Sequence, residues 1–138
     1  MKKVLFICIG NSARSQMAEA FFNHLAGGKA EALSAGTSPA REVAPLAIEV
    51  MKEAGIDMSR QRPKSLTEEM VSEAERVISM GCGVKESCPA ALGAKIDEDW
   101  EIEDPLGQPL EKMREIREEI ERRVRFLLKQ LGIAPSAR

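Results

Sequence analysis

The sequence predicts an α/β fold, a single domain over residues 1–138 with a parallel sheet flanked by helices. Three observations predict it. Short apolar runs alternate along the chain with stretches of helical spacing, the pattern of strands joined by helical crossovers. The first run, Val4-Leu5-Phe6-Ile7, is unbroken rather than alternating, which suits a strand buried on both faces. The chain has 138 residues, enough for one domain that buries roughly two-thirds of its extended-chain surface.

The elements follow in order. The first strand ends at Cys8. From Gln16 to Leu25, the apolar residues Met17, Ala18, Ala20, Phe21, Phe22 and Leu25 recur at helical spacing, and Gly27-Gly28 stops them. Glu31 to Ala35 reads as a second strand running into the loop Gly36-Thr37-Ser38-Pro39. A second helix spans Val43 to Ala54 and stops at Gly55. Ser65 to Ser72 reads as a short helix with Thr67 as its cap and Met70 and Val71 inward. Arg76 to Met80 is a third strand, and Lys95-Ile96 with its neighbours marks a fourth. The last helix runs from Pro109 to about Leu131, with the stripe Leu110, Met113, Ile116, Ile120, Val124, Leu127 and Leu131 facing the core. The Glu and Arg residues between them form a solvated face laced with i,i+4 pairs, and past Gly132 a loose tail is expected. If the chain turns back past its first strand, that strand's end is the topological switch point, where open sheets bind ligands.

Composition narrows the function. A formal net charge of −2 and a pI near 5.6 argue against a protein built to hold nucleic acid. No apolar segment reaches the length of a membrane span. The start MKKVLFICIG has too short an apolar run for a signal peptide, so a cytoplasmic protein is expected. In that compartment three cysteines suit reactive or metal-binding roles better than a structural disulfide set. His24 is the only histidine and falls near a helix end, where a favourable dipole position or plain exposure explains it better than catalysis. With one His, a His-based metal site or a Ser–His–Asp triad lacks its material, so no metal is expected.

The chemistry concentrates at the end of the first strand. Cys8, Ile9, Gly10, Asn11, Ser12, Ala13, Arg14 and Ser15 lead from strand into helix. Gly10 and Asn11 reach positive φ readily, so a tight cradle of inward N–H groups is predicted, backed by the positive end of the following helix. An oxyanion fits there. Such a place favours a thiolate at Cys8, Arg14 offers a planar fork for two oxygens, and the Ser15 hydroxyl can hydrogen-bond the sulfur. Cys82 and Cys88 lie in a small-residue, charged stretch from Gly81 to Pro89 and suit a redox pair better than a zinc site. Asp104-Pro105 follows a strand-like stretch and doubles as an ordinary turn opener.

The segment CIGNSARS resembles the C-x5-R-S loop of the low-molecular-weight tyrosine phosphatase family. Its continuation SQMAE, with the later SAGTSP and GIDMS, resembles the thioredoxin-coupled arsenate reductases that share that fold. The resemblance implies a four-stranded sheet in order 2-1-3-4 and a general acid at Asp104. It further implies a relay in which Cys8 attacks arsenate, Cys82 attacks Cys8, and Cys88 attacks Cys82. A thioredoxin-like reductant then restores the thiols. In some of these reductases a potassium ion lies near the loop. Asn11, Glu19 and Ser34 match three of its ligands, but Lys64 stands at the fourth, so little potassium activation is expected and no other cofactor. Two rivals remain. One is a phosphatase working through a phosphocysteine, against which the absence of tyrosine and the run Leu106-Gly107-Gln108 beside Asp104 both count. The other is a thiol sensor or anion-binding module without turnover.

Overall fold

The computed structural model describes residues 2–81, 96–105 and 107–136. Its elements are β1 (Lys2–Cys8), α1 (Arg14–Ala26), β2 (Ala30–Gly36), α2 (Pro45–Glu53), α3 (Glu68–Glu73), β3 (Arg76–Ser79), β4 (Glu98–Asp99) and α4 (Leu110–Gln130). The four strands form one sheet in the order β2-β1-β3-β4, every pairing parallel. Lys2 pairs with Ala30 and Cys8 with Gly36, while Val4 to Ile7 pair with Arg76 to Ser79. β1 is therefore flanked on both edges, and its neighbours leave in opposite directions from its end. The anion loop opens at that switch point.

The unbroken apolar run of β1 has its reason in two covered faces. Val4, Phe6 and Cys8 turn into the main core, where Phe6 lies 5.4 Å from Trp100 and 6.2 Å from Phe22, ring centre to ring centre. Leu5 and Ile7 turn the other way, onto Ala35 and Val77, with Met70, Val71 and Ala74 of the α3 region packed against them. Thr67 caps α3 as expected, its Oγ1 accepting from the Met70 N–H at 3.1 Å. The stripe on α4 is buried from Met113 to Leu127, against α1 and α2. Among the described residues, no helix is long and apolar enough to cross a membrane.

Three details depart from expectation. Among the described residues the fourth strand lies at Glu98–Asp99, two residues past Ile96, where it pairs with Ile78 and Ser79 of β3; Lys95 lies outside the described residues. The charged face of α4 is only partly its own i,i+4 ladder. Arg114 and Arg117 reach instead to Glu53 of α2, at 2.7 and 3.0 Å, and the Arg114 hydrogen bond leads in holding that carboxyl down to a pKa of about 2. The tail is docked at least to Ser136, whose N–H and Oγ both donate to the Leu25 carbonyl at 2.8 and 2.9 Å, and Ile133 is buried.

Candidate active site

The loop from Cys8 to Ser15 is shaped by backbone before any side chain acts. Asn11 takes a left-handed φ of 49°, which turns its N–H back onto Cys8 Sγ at 3.1 Å. The end of β2 comes so close that a Cβ on Gly36 would lie 2.5 Å from the Ile9 carbonyl oxygen, so only glycine fits there. The wall is then stitched by four main-chain bonds. Thr37, Ser38, Ala40 and Ala44 donate to the carbonyls of Cys8, Ile9, Gly10 and Ser12 at 2.8 to 3.3 Å. With its carbonyls turned outward to this wall, the loop can turn N–H groups inward. α1 begins at Arg14 after Ala13, and no side chain caps its first amides. They are therefore available to an anion.

Cys8 is buried, and its sulfur is also 2.8 Å from Ser15 Oγ. The direction of that bond follows from Asn11. Its Oδ1 accepts from the Lys64 N–H at 2.8 Å, which leaves Nδ2 to donate to Ser15 Oγ at 2.8 Å. A hydroxyl carries one proton and two lone pairs; Asn11 fills one lone pair, and among the described residues the acceptor within reach of the proton is the Cys8 sulfur. Two donors thus converge on Cys8, an arrangement that suits a sulfur carrying negative charge.

Arg14 is buried and anchored on one side. Its Nη1 donates to the carbonyls of Met80, Gly81 and Ile102 at 2.9, 3.3 and 3.0 Å. These carbonyls lie past the ends of β3 and β4, so the sheet itself orients the guanidinium. Gly81 permits the approach of those two segments, since a Cβ there would meet Glu101 Cα at 2.8 Å. Arg14 Nη2 lies 3.9 Å from Asp104 Oδ2, and the Asp104 side chain is 61% exposed. Asp104 thus stands beside the arginine that the loop presents.

Of the residues singled out from sequence, Cys8, Ile9, Gly10, Asn11, Ser12, Ala13, Arg14, Ser15 and Asp104 are gathered at this one place. Cys82 and Cys88 lie outside the described residues. Glu19 and Ser34, both buried, form a neighbouring cluster with the half-buried Lys64. Ser34 Oγ donates to Glu19 Oε1 at 2.9 Å, and Lys64 Nζ sits 3.3 Å from the same oxygen. Sequence reasoning missed Gln16, whose amide braces Asn11 from behind, and Gln61, whose amide in turn donates to Gln16. A polar residue on the inward side of a first helical turn was the available signal for Gln16. It missed Gly36 and Gly81 too, because a close approach between distant segments leaves no local pattern.

The family model of low molecular weight phosphotyrosine protein phosphatases matches residues 3–135. The chain belongs to this family. Within it, the chain is 42% identical over 133 residues to the glutaredoxin arsenate reductase of Synechocystis sp., covering 96% of this chain and 100% of that one. Among solved structures it resembles an arsenate reductase in the phosphate binding state, with a TM-score of 0.81 and 42% identity over 94% of this chain and 98% of that one. It likewise resembles the Corynebacterium glutamicum thioredoxin-dependent arsenate reductase, at TM-score 0.79 and 42% identity, covering 96% of this chain and 62% of that one. A low molecular weight protein tyrosine phosphatase from T. tengcongensis superposes equally well, at TM-score 0.82 with 34% identity, over 94% of this chain and 99% of that one. The family's fold therefore serves both chemistries, and the backbone does not choose between them.

Proposed function

We propose that the chain is an arsenate reductase, converting arsenate to arsenite with electrons from a thioredoxin-type or glutaredoxin-type reductant. The observation that carries the choice over a phosphatase is identity across the whole chain to arsenate reductases at 42%, combined with two further cysteines that a phosphocysteine mechanism does not use. The geometry around Cys8 supports the first step. Arsenate docks on the loop amides from Ile9 to Ser15 and on Arg14, and the Cys8 sulfur attacks arsenic. A sulfur–arsenic bond forms, an arsenic–oxygen bond breaks, and Asp104 protonates the departing oxygen.

Reduction follows by thiol displacement. The Cys82 thiolate attacks Cys8 Sγ, and the electron pair of the sulfur–arsenic bond goes to arsenic, which leaves as arsenite. Cys88 then attacks Cys82, which frees Cys8 and leaves a Cys82–Cys88 disulfide for the external dithiol. The deciding experiment is arsenite formation with purified protein and either a thioredoxin or a glutaredoxin system, run beside hydrolysis of an aryl phosphate. Multiple turnovers of arsenite with at least one reductant are expected. Hydrolysis alone, with no arsenite from either system, would leave a phosphatase. No turnover of either anion would leave a sensor.

No potassium requirement is expected either. The Lys64 ammonium lies 3.3 Å from Glu19 Oε1 and 3.3 Å from the Arg62 carbonyl, so a positive charge already faces that carboxylate. A metal cation placed there would meet the ammonium as a like charge. Arsenate reduction measured in sodium against potassium salts at equal ionic strength should agree within about twofold. A strong potassium stimulation would show that the ammonium yields its place.

A further inference from the structure

Gln16 is fully buried although polar, and its amide is held in one orientation from both ends. Its Nε2 faces three acceptors, the Asn11 carbonyl at 3.0 Å, Asn11 Oδ1 at 3.0 Å and the Arg62 carbonyl at 2.9 Å. A reversed amide would set Oε1 against three oxygens in a buried place, a costly arrangement. Its Oε1 accepts from Gln61 Nε2 at 2.6 Å, and the same nitrogen reaches the Gln16 carbonyl at 3.2 Å. Gln61 lies in the segment between α2 and α3, is only half-buried, and touches the site through Gln16.

We propose that Gln61 and Gln16 are positioning residues for Cys8, fixing the direction of a hydrogen-bond chain so that it ends by donating to the sulfur. The chain runs Gln61, Gln16, Asn11, Ser15, Cys8, and each member donates to the next. With Oδ1 of Asn11 held by both Gln16 and the Lys64 N–H, Nδ2 donates to Ser15 Oγ, and among the described residues the sulfur is the acceptor within reach of the Ser15 proton. Bonds aligned this way polarise one another, so a donor at the far end strengthens the last one. The same bond from Gln16 to the Asn11 carbonyl helps hold the left-handed turn that aims the Asn11 N–H at Cys8. A loop 45 residues from Gln16 in the sequence thereby acts on the reactive sulfur.

The proposal rests on Cys8 being the attacking thiol of the function given above, but its test needs no arsenate. Gln61→Leu removes the donor, and Gln61→Glu presents acceptors to the Gln16 oxygen. Both change a half-buried loop residue, and melting temperature reports whether either loosens the fold. Alkylation by iodoacetamide is followed on the Cys8 peptide by mass spectrometry across a range of pH. The leucine variant should react about three- to tenfold more slowly than wild type at neutral pH, the glutamate variant more slowly still, and all three should converge in alkaline solution. Rate–pH curves of both variants that superimpose on wild type would overturn the proposal, whatever the melting temperature does. So would a slowing that persists unchanged at alkaline pH, which reports lost packing rather than lost donation. Failure of wild type to make arsenite would overturn the function and leave this result standing.

Discussion

Arg14→Lys lowers kcat/KM for arsenate by about a thousandfold while the protein stays folded. The guanidinium does two things at once. Nη1 is engaged by the carbonyls of Met80, Gly81 and Ile102, and the rest of the fork points towards the side on which Asp104 lies, 3.9 Å from Nη2. A lysine ammonium is a single point. It can satisfy the buried carbonyls or face the oxyanion, but its geometry does not allow both. The loss should appear mainly in kcat, since the two-point hold matters most when charge builds on the equatorial oxygens. Steady-state kinetics with circular dichroism as a fold control measures it. A variant within about tenfold of wild type would mean that the loop amides carry the anion without the arginine.

Cys88→Ser produces about one arsenite per chain and then stops. Such a variant retains the Cys8 attack and the Cys82 displacement, so arsenic leaves once and a Cys8–Cys82 disulfide remains. Nothing in the chain then reopens it. Cys82→Ser should fail one step earlier, releasing no arsenite in the first turnover, while any hydrolysis of an aryl phosphate through Cys8 survives. Rapid-quench arsenite measurement, with mass spectrometry for the trapped disulfide, separates the two cases. Sustained turnover by the Cys88 variant would show that the reductant attacks the Cys8–Cys82 disulfide directly, and would remove the third thiol from the relay.

The parts of the fold that were legible share a physical character. β1, α1 and α4 were readable because burial imprints itself on neighbouring residues, as an unbroken run when two faces are covered and as a stripe when one is. The bounds of β4 are not legible in sequence, because a strand of two residues carries almost no periodic signal, and its pairing with Ile78 and Ser79 is decided by the partner strand. The tail was misjudged because Ser136 is held by the Leu25 carbonyl, a contact 111 residues away in sequence.

The candidate site divides along the same line. From the sequence alone came the identity of the chemical groups and their order: Cys8, the small residues after it, Arg14 and Ser15 at a strand-to-helix turn, with Asp104 and two further cysteines downstream. Local spacing suffices for that, because a nest of N–H groups is made by consecutive residues. Only the tertiary structure decided which way the hydrogen bonds run, that three carbonyls past the sheet's end grip Arg14, and that Lys64 presents its charge to Glu19. Those outcomes depend on segments 45 to 88 residues apart meeting within hydrogen-bonding distance, and a one-dimensional pattern does not encode which oxygen faces which nitrogen.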